Sequence, residues 1–155
     1  MKPKRSAAYL NLSPRAVQRL FQLALTGLWS WFALKFFLTE GKPAALVASA
    51  LCLLTGVVAA IVVFLSDLSF IAHAPEQDID EYQLKQRNRA YLATLRYGCG
   101  ALALAWLARA VGGPRAVVSV NVLDNFILVL FLTLLIAPAG FLAQRLLADE
   151  EAPAR

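Results

Sequence analysis

Apolar residues gather along the chain into four runs, each close to the roughly 20 residues a helix needs to cross the hydrocarbon core of a bilayer. They extend from about Leu20 to Leu38, Pro43 to Leu65, Leu92 to Val111 and Phe126 to Leu142. The third run is the least apolar, because Arg96 and Arg109 stand near its ends and its middle is rich in Gly and Ala. No charged residue falls at the centre of a predicted helix. The pattern predicts an all-α polytopic membrane protein, an antiparallel bundle of four transmembrane helices within residues 13–147. Residues 1–12 read as a loose basic tail suited to anionic lipid, residues 78–91 as a helical loop, and residues 148–155 as a second tail.

Local signals sharpen this outline. Ser13-Pro14 is a helix start, since Ser accepts a bond from an early amide and Pro is tolerated at the first helical position. Arg15, Gln18, Arg19 and Gln22 follow on one face, so the first helix begins as an amphipathic turn among headgroups. Lys35 can snorkel to the opposite interface. In the second run Ala44, Ala48, Cys52, Gly56 and Ala60 recur every fourth residue as a stripe of small side chains. In lipid such stripes let helix backbones approach. Gly98, Ala101, Ala105 and Ala108 of the third run form a matching strip, so the two either pack together within one chain or one of them faces a homodimer partner. Pro138 removes a backbone donor from the fourth helix and predicts a kink there, read as shape rather than as a hinge. Val117 to Val122 is β-branched and too short to span, and Asp124 suits the cap of the helix that follows.

Composition and charge then fix the setting. The 155 residues are 59% apolar and 16% charged, with a mean hydropathy of +0.61. Soluble domains are about 45–50% apolar and about 25% charged, so the composition excludes an ordinary soluble domain, a disordered chain and a disulfide-stapled module. Cys52 and Cys99 lie in apolar runs and read as free thiols. The first run begins too late and runs too long for a cleaved signal peptide, and reads as a retained anchor. The net charge of +5 is distributed unevenly: eleven of the 15 Lys and Arg fall in the N-terminal region, the middle loop with the start of the third run, and the C-terminal tail. Lys35, Lys42, Arg109 and Arg115 fall on the other side. By the positive-inside rule both termini and the middle loop are cytoplasmic, which predicts a multi-pass protein of the cytoplasmic (inner) membrane.

The middle loop carries the most distinctive residues. Asp78 and Glu81 have capping-box spacing, and Glu81 with Lys85 forms a favourable i,i+4 pair. No Gly or Pro follows until Gly98, so the helix is expected to continue unbroken into the third run. Glu81, Tyr82, Gln83, Gln86 and Arg89 then stand on a solvent-facing rod, a candidate partner-binding helix. Asp67, just after the second run, meets an unfavourable helix C-terminus and calls for a cation, with Arg96 the first candidate and Arg19 the second; the pair is either structural or proton-coupled. Asp124 could pair with Arg109 or Arg115 in the same way.

Asp80-Glu81-Tyr82-Gln83 followed by Arg87-Asn88-Arg89-Ala90-Tyr91 resembles the acidic-then-basic cytoplasmic helix of small uncharacterised bacterial inner-membrane proteins of four spans. That group implies the layout and no activity. The four short spans also resemble small multidrug resistance transporters, but those use a glutamate in the first membrane helix, where this chain offers only Lys35. His73, Glu76, Asp78, Asp80 and Glu81 match no metal-ligand spacing, and a single His excludes bis-histidine haem ligation. No nucleophile–base pair, phosphate loop or dinucleotide fingerprint occurs, and the basic residues form no nucleic-acid reading module. The expectation is therefore a protein without metal or cofactor, whose partners are the lipid bilayer and a homodimer or larger membrane complex. It is expected to be a non-enzymatic scaffold or accessory subunit presenting a cytoplasmic helix. The alternative is a small oligomeric transporter or channel component using Asp67 or Asp124.

Overall fold

The computed structural model describes residues 9–37, 43–111 and 120–151. These residues form five α-helices and no strand: α1 (Pro14–Phe37), α2 (Pro43–Phe64), α3 (Asp67–His73), α4 (Glu81–Val111) and α5 (Val120–Glu151), with a 3-10 turn at Glu76–Asp78 before α4. The chain is thus all-α, and its four long helices contain the four apolar runs. α2 and α5 are long and apolar enough to cross a membrane. Only 22% of the apolar window of α2 is buried, against 56% for α5, so α2 turns most of its apolar surface outward rather than serving as a core helix.

α1 starts where its residues dictate. The Ser13 hydroxyl accepts from the Ala16 amide at 3.3 Å, and its carbonyl accepts from Val17 at 3.0 Å. From there α1 packs along α2 with backbone close against backbone. A Cβ placed on Gly27 would stand 2.8 Å from the Gly56 Cα and 2.9 Å from the Cys52 carbonyl oxygen. The small stripe of α2 therefore does bring a neighbour close, but the neighbour is α1 rather than the Gly98–Ala108 strip. Only its lower part is covered: Gly56 and Ala60 are buried, Cys52 is half-buried, and Ala44 and Ala48 are exposed. Gly98 instead faces Leu134 of α5.

α5 lies antiparallel to α1, with the Phe21 ring seated on Gly140 near one end and Lys35 beside Asn125 at the other. Ala137, Pro138, Ala139 and Gly140 are all buried, and the helix continues through Pro138. Small residues here let the Phe21 ring enter, with Phe141 edge-on to it at 5.5 Å. α5 also begins earlier than predicted. Val120 to Val122 are helical, so Asp124 lies in the second turn and not at the cap.

The segment leading into α1 also differs from expectation. Leu10 is paired with the chain after α2, its amide donating to Leu65 and its carbonyl accepting from Asp67; Tyr9 stacks near Phe70 at 5.1 Å. Residues 9–12 are thus pinned rather than loose. Residues 1–8 lie outside the described residues.

Gly27→Ala is expected to destabilise the protein by about 1–3 kcal/mol, because the new methyl group meets backbone that cannot give way. Gly100→Ala is the matched control: nothing lies within 4 Å of its Cβ position, and a helical Gly→Ala change is neutral or gains up to about 1 kcal/mol. Denaturant unfolding of both variants in detergent micelles measures the difference.

Candidate functional site

The predicted partner helix is the N-terminal part of α4, and its start is displaced by two residues. The cap is Asp80, not Asp78: its Oδ1 accepts from the Gln83 amide at 2.7 Å and its carbonyl accepts from Leu84 at 2.8 Å. Asp80 and Gln83 hold the Ncap and N3 positions, so the capping-box spacing is present in a second register that the Asp78–Glu81 reading overlooked. Glu81 and Lys85 make no ion pair.

From Glu81 onward α4 has two unlike faces. On the inner face Gln86, Arg87, Ala90, Thr94 and Gly98 are buried. Gln86 Nε2 and the Tyr82 hydroxyl both donate to Asp149 Oδ2 of α5, each at 2.6 Å. The residues predicted to stand free on a rod are thus divided: Tyr82 and Gln86 tie α4 to α5, Gln83 is half-buried, and Glu81 and Arg89 remain exposed. Donating to Asp149 raises the Tyr82 hydroxyl above the ordinary tyrosine pKa, with partial burial adding to the effect. Asp149, assigned to a tail by sequence, is a fixed part of α5.

Arg87 is the residue that sequence reasoning missed. It was counted only as a loop charge, yet it is buried and fastens the 66–80 segment. Its guanidinium donates to the Ala74 carbonyl at 2.6 Å and pairs with Glu76 at 3.2 Å. One turn on, the Tyr91 hydroxyl donates to the Ala72 carbonyl at 3.0 Å. Arg87 and Tyr91 sit at i,i+4, which was the available signal that one face of this helix grips a neighbour. Arg87 Nε and Gln86 Oε1 are buried without a hydrogen-bond partner.

Deeper along α4, Trp29 Nε1 of α1 donates to the Tyr97 hydroxyl at 2.7 Å. Tyr97 donates in turn to Thr133 Oγ1 of α5 at 3.2 Å, and Thr133 returns its proton to the Val129 and Leu130 carbonyls. This chain joins three helices near the middle of α1 and α5. Arg96, the residue before Tyr97, is exposed and takes no part in this chain.

Among the described residues the predicted acid–base pairs do not form. Asp67 lies in the first turn of α3, behind Ser66, whose hydroxyl accepts from the Ser69 amide. A carboxylate at a helix N-terminus is favoured by the dipole, so the cation expected for it is unnecessary, and neither Arg96 nor Arg19 pairs with it. Asp124 makes no ion pair with Arg109; Arg115 lies outside the described residues. Lys35 stands 5.1 Å over the Trp31 ring and donates to Asn125 at 3.4 Å.

The outer face of α4 carries Glu81, Lys85, Asn88, Arg89 and Leu92 around a shallow open depression that Leu84 also lines. Among the described residues no carboxylate lies within 4 Å of Lys85, Arg89 or Arg96. Below them α4 exposes Leu95, Leu102, Leu104, Trp106 and Leu107. No family model matches the chain, no curated protein matches it, and no solved structure matches it.

Two outcomes follow. Arg87→Met leaves the buried Ala74 carbonyl without its donor, a cost of about 1–3 kcal/mol, so amide exchange across residues 67–80 should accelerate while α1 and α2 stay protected. Tyr82 should titrate above the ordinary tyrosine pKa, because its protonated form is the one that binds Asp149. That contribution to stability is present below the ordinary tyrosine pKa and is lost as pH rises through the raised value. Absorbance titration of Asp149→Asn should return Tyr82 towards the ordinary range, and Tyr82→Phe should remove the raised step.

Proposed function

We propose that the protein is an integral, four-span protein of the cytoplasmic membrane, a non-enzymatic scaffold or accessory subunit that presents the outer face of α4 to a partner protein. In this reading α1, α2, the part of α4 beyond about Leu92, and α5 cross the bilayer, with both termini and residues 66–91 on the cytoplasmic side.

Large apolar side chains exposed on α2, α4 and α5 support the membrane setting. Leu51 and Leu54 of α2, Leu104 and Trp106 of α4 and Phe131 of α5 are all more than half exposed, and such a continuous apolar exterior is a liability in water. α1 gathers Arg15, Gln18 and Arg19 in its first two turns, while α4 keeps most of its charge before the hydrocarbon. The observation that carries the partner reading is the division of α4. Tyr82, Gln86, Arg87 and Tyr91 hold one face to the rest of the chain, which fixes the orientation of Glu81, Lys85, Asn88 and Arg89 on the other. A rigid, pre-oriented face loses little entropy on binding.

The transporter alternative has less behind it. Asp67 lies in the first turn of a short helix, Asp124 is exposed near the far end of α5, and the mid-depth polar groups of Trp29, Tyr97 and Thr133 satisfy one another.

Two measurements test the reading. Reporter fusions at both ends should report the cytoplasm, and ends on opposite faces would overturn the topology. Tagged protein purified from detergent-solubilised membranes should bring down a partner that Glu81→Lys or Arg89→Glu loses without loss of insertion; an unchanged set of co-purified proteins would remove the partner-helix function.

A further inference from the structure

We propose that the partner of α4 is a second copy of this chain: two α4 helices pack side by side and parallel along the line from Glu81 to Trp106, each seating Lys85 and Asn88 in the depression of the other. This pairing rests on the topology and the partner-helix reading proposed above, and names the partner.

Lys85, Asn88, Leu92, Leu95, Cys99 and Leu102 follow one another at alternating intervals of three and four residues, the spacing that keeps a line of side chains facing a neighbouring helix. Glu81 and Trp106 extend the line by one step at either end. Every residue on it is exposed, and Trp106 is 71% exposed. Gln86, Ala90 and Thr94, which are buried, lie on the other side of the helix.

The line changes character once along its length. Glu81, Lys85 and Asn88 stand before the hydrocarbon, and the residues from Leu92 onward stand within it. Acyl chains can cover only the second part, because polar groups taken from water need partners that acyl chains lack. A second α4 covers both. Two copies inserted in the same direction run parallel, so polar meets polar and apolar meets apolar at every height.

Charge favours the same occupant. Glu81 and Lys85 have the spacing and order that suit a pair within one helix, yet they do not pair, and among the described residues neither has another ion partner within 4 Å. In parallel packing each side chain of the seam enters a hole framed by four residues of the facing helix. The depression is lined by Glu81, Leu84, Lys85, Asn88, Arg89 and Leu92, and these frame two successive holes. The first lies among Glu81, Leu84, Lys85 and Asn88, and receives Lys85 of the second copy beside Glu81. The second lies among Lys85, Asn88, Arg89 and Leu92, and receives the second Asn88 beside the first. The two Glu81 carboxylates offset the two ammonium groups that symmetry brings together, and the paired amides hold the register.

Disulfide trapping of the full chain in membranes tests the pairing. Oxidation with copper phenanthroline should give a covalent dimer through Cys99, and Cys99→Ala should abolish it. In the Cys99→Ala chain, Leu102→Cys should restore the dimer, while Leu104→Cys, also exposed but off the line, should not. Lys85→Glu should lower the yield through Cys99 about fivefold, the effect of losing two exposed ion pairs, and adding Glu81→Lys should recover it. Tryptophan fluorescence matching the parent chain confirms that each variant is folded. No dimer from the parent chain, a dimer that persists in Cys99→Ala, equal trapping at positions 102 and 104, or a double variant no better than Lys85→Glu each overturns the proposal. Failure of trapping overturns this pairing alone, because the pull-down can still find a different protein on the same face. An unchanged pull-down removes the foreign partner and leaves a trapped dimer standing.

Discussion

The bundle depends first on the meeting of Gly27 and Gly56. Where apolar residues face outward on every side, burying them cannot by itself decide which helices adjoin, and close packing over small residues takes over. At this crossing backbone touches backbone: the Cβ that any other residue would add to Gly56 would stand 2.8 Å from the Leu28 amide nitrogen. The contact sets α2 on α1. α1 then carries α5 through Phe21 on Gly140, and α5 carries α4 through Leu134 on Gly98. Each joint pairs a glycine with whatever its missing side chain admits.

Polar groups add direction to joints that packing leaves free to slide. Trp29, Tyr97 and Thr133 fix the height of α4 against α1 and α5, since a shift by one residue, about 1.5 Å, would break hydrogen bonds of 2.7 and 3.2 Å. Tyr82 and Gln86 repeat the device at the other end on the single carboxylate oxygen of Asp149. Arg87 and Tyr91 hold the segment between α2 and α4 by its backbone carbonyls, adding to the burial of Leu68 and Ala72. The exposed face of α4 is therefore aimed by the buried one.

Much of this was legible in the sequence, and what was not has a common cause. Helix existence, the start at Pro14 and the unbroken run of α4 follow from local rules that a single segment satisfies alone. Partnerships do not. The small stripe announced a close approach but not its neighbour; Gly27, the lone glycine of α1 on the other limb of the hairpin, was the missing half. Asp67 was misread because the segment after Phe64 was taken as the end of one helix, when Ser66 caps another. A two-residue displacement made Asp80 the cap, and Gln86 is interior because α5 packs against it and supplies Asp149, a partner no local rule announces. Arg87 looked like one loop cation among several because its partners are mostly backbone carbonyls, which leave no trace in side-chain pattern.

The same polar chain that fixes α4 bears on what the bundle can do. A transport path needs a polar group at mid-depth that can exchange partners, and in low dielectric a hydrogen-bonded group without a competing partner stays where it is. Trp29 can only donate, Tyr97 accepts from it and donates onward, and Thr133 passes its proton to the backbone of its own helix. The chain has a beginning and an end. Such a network locks the three helices together. The cation adjacent to it in sequence, Arg96, is exposed and stands outside this chain of hydrogen bonds.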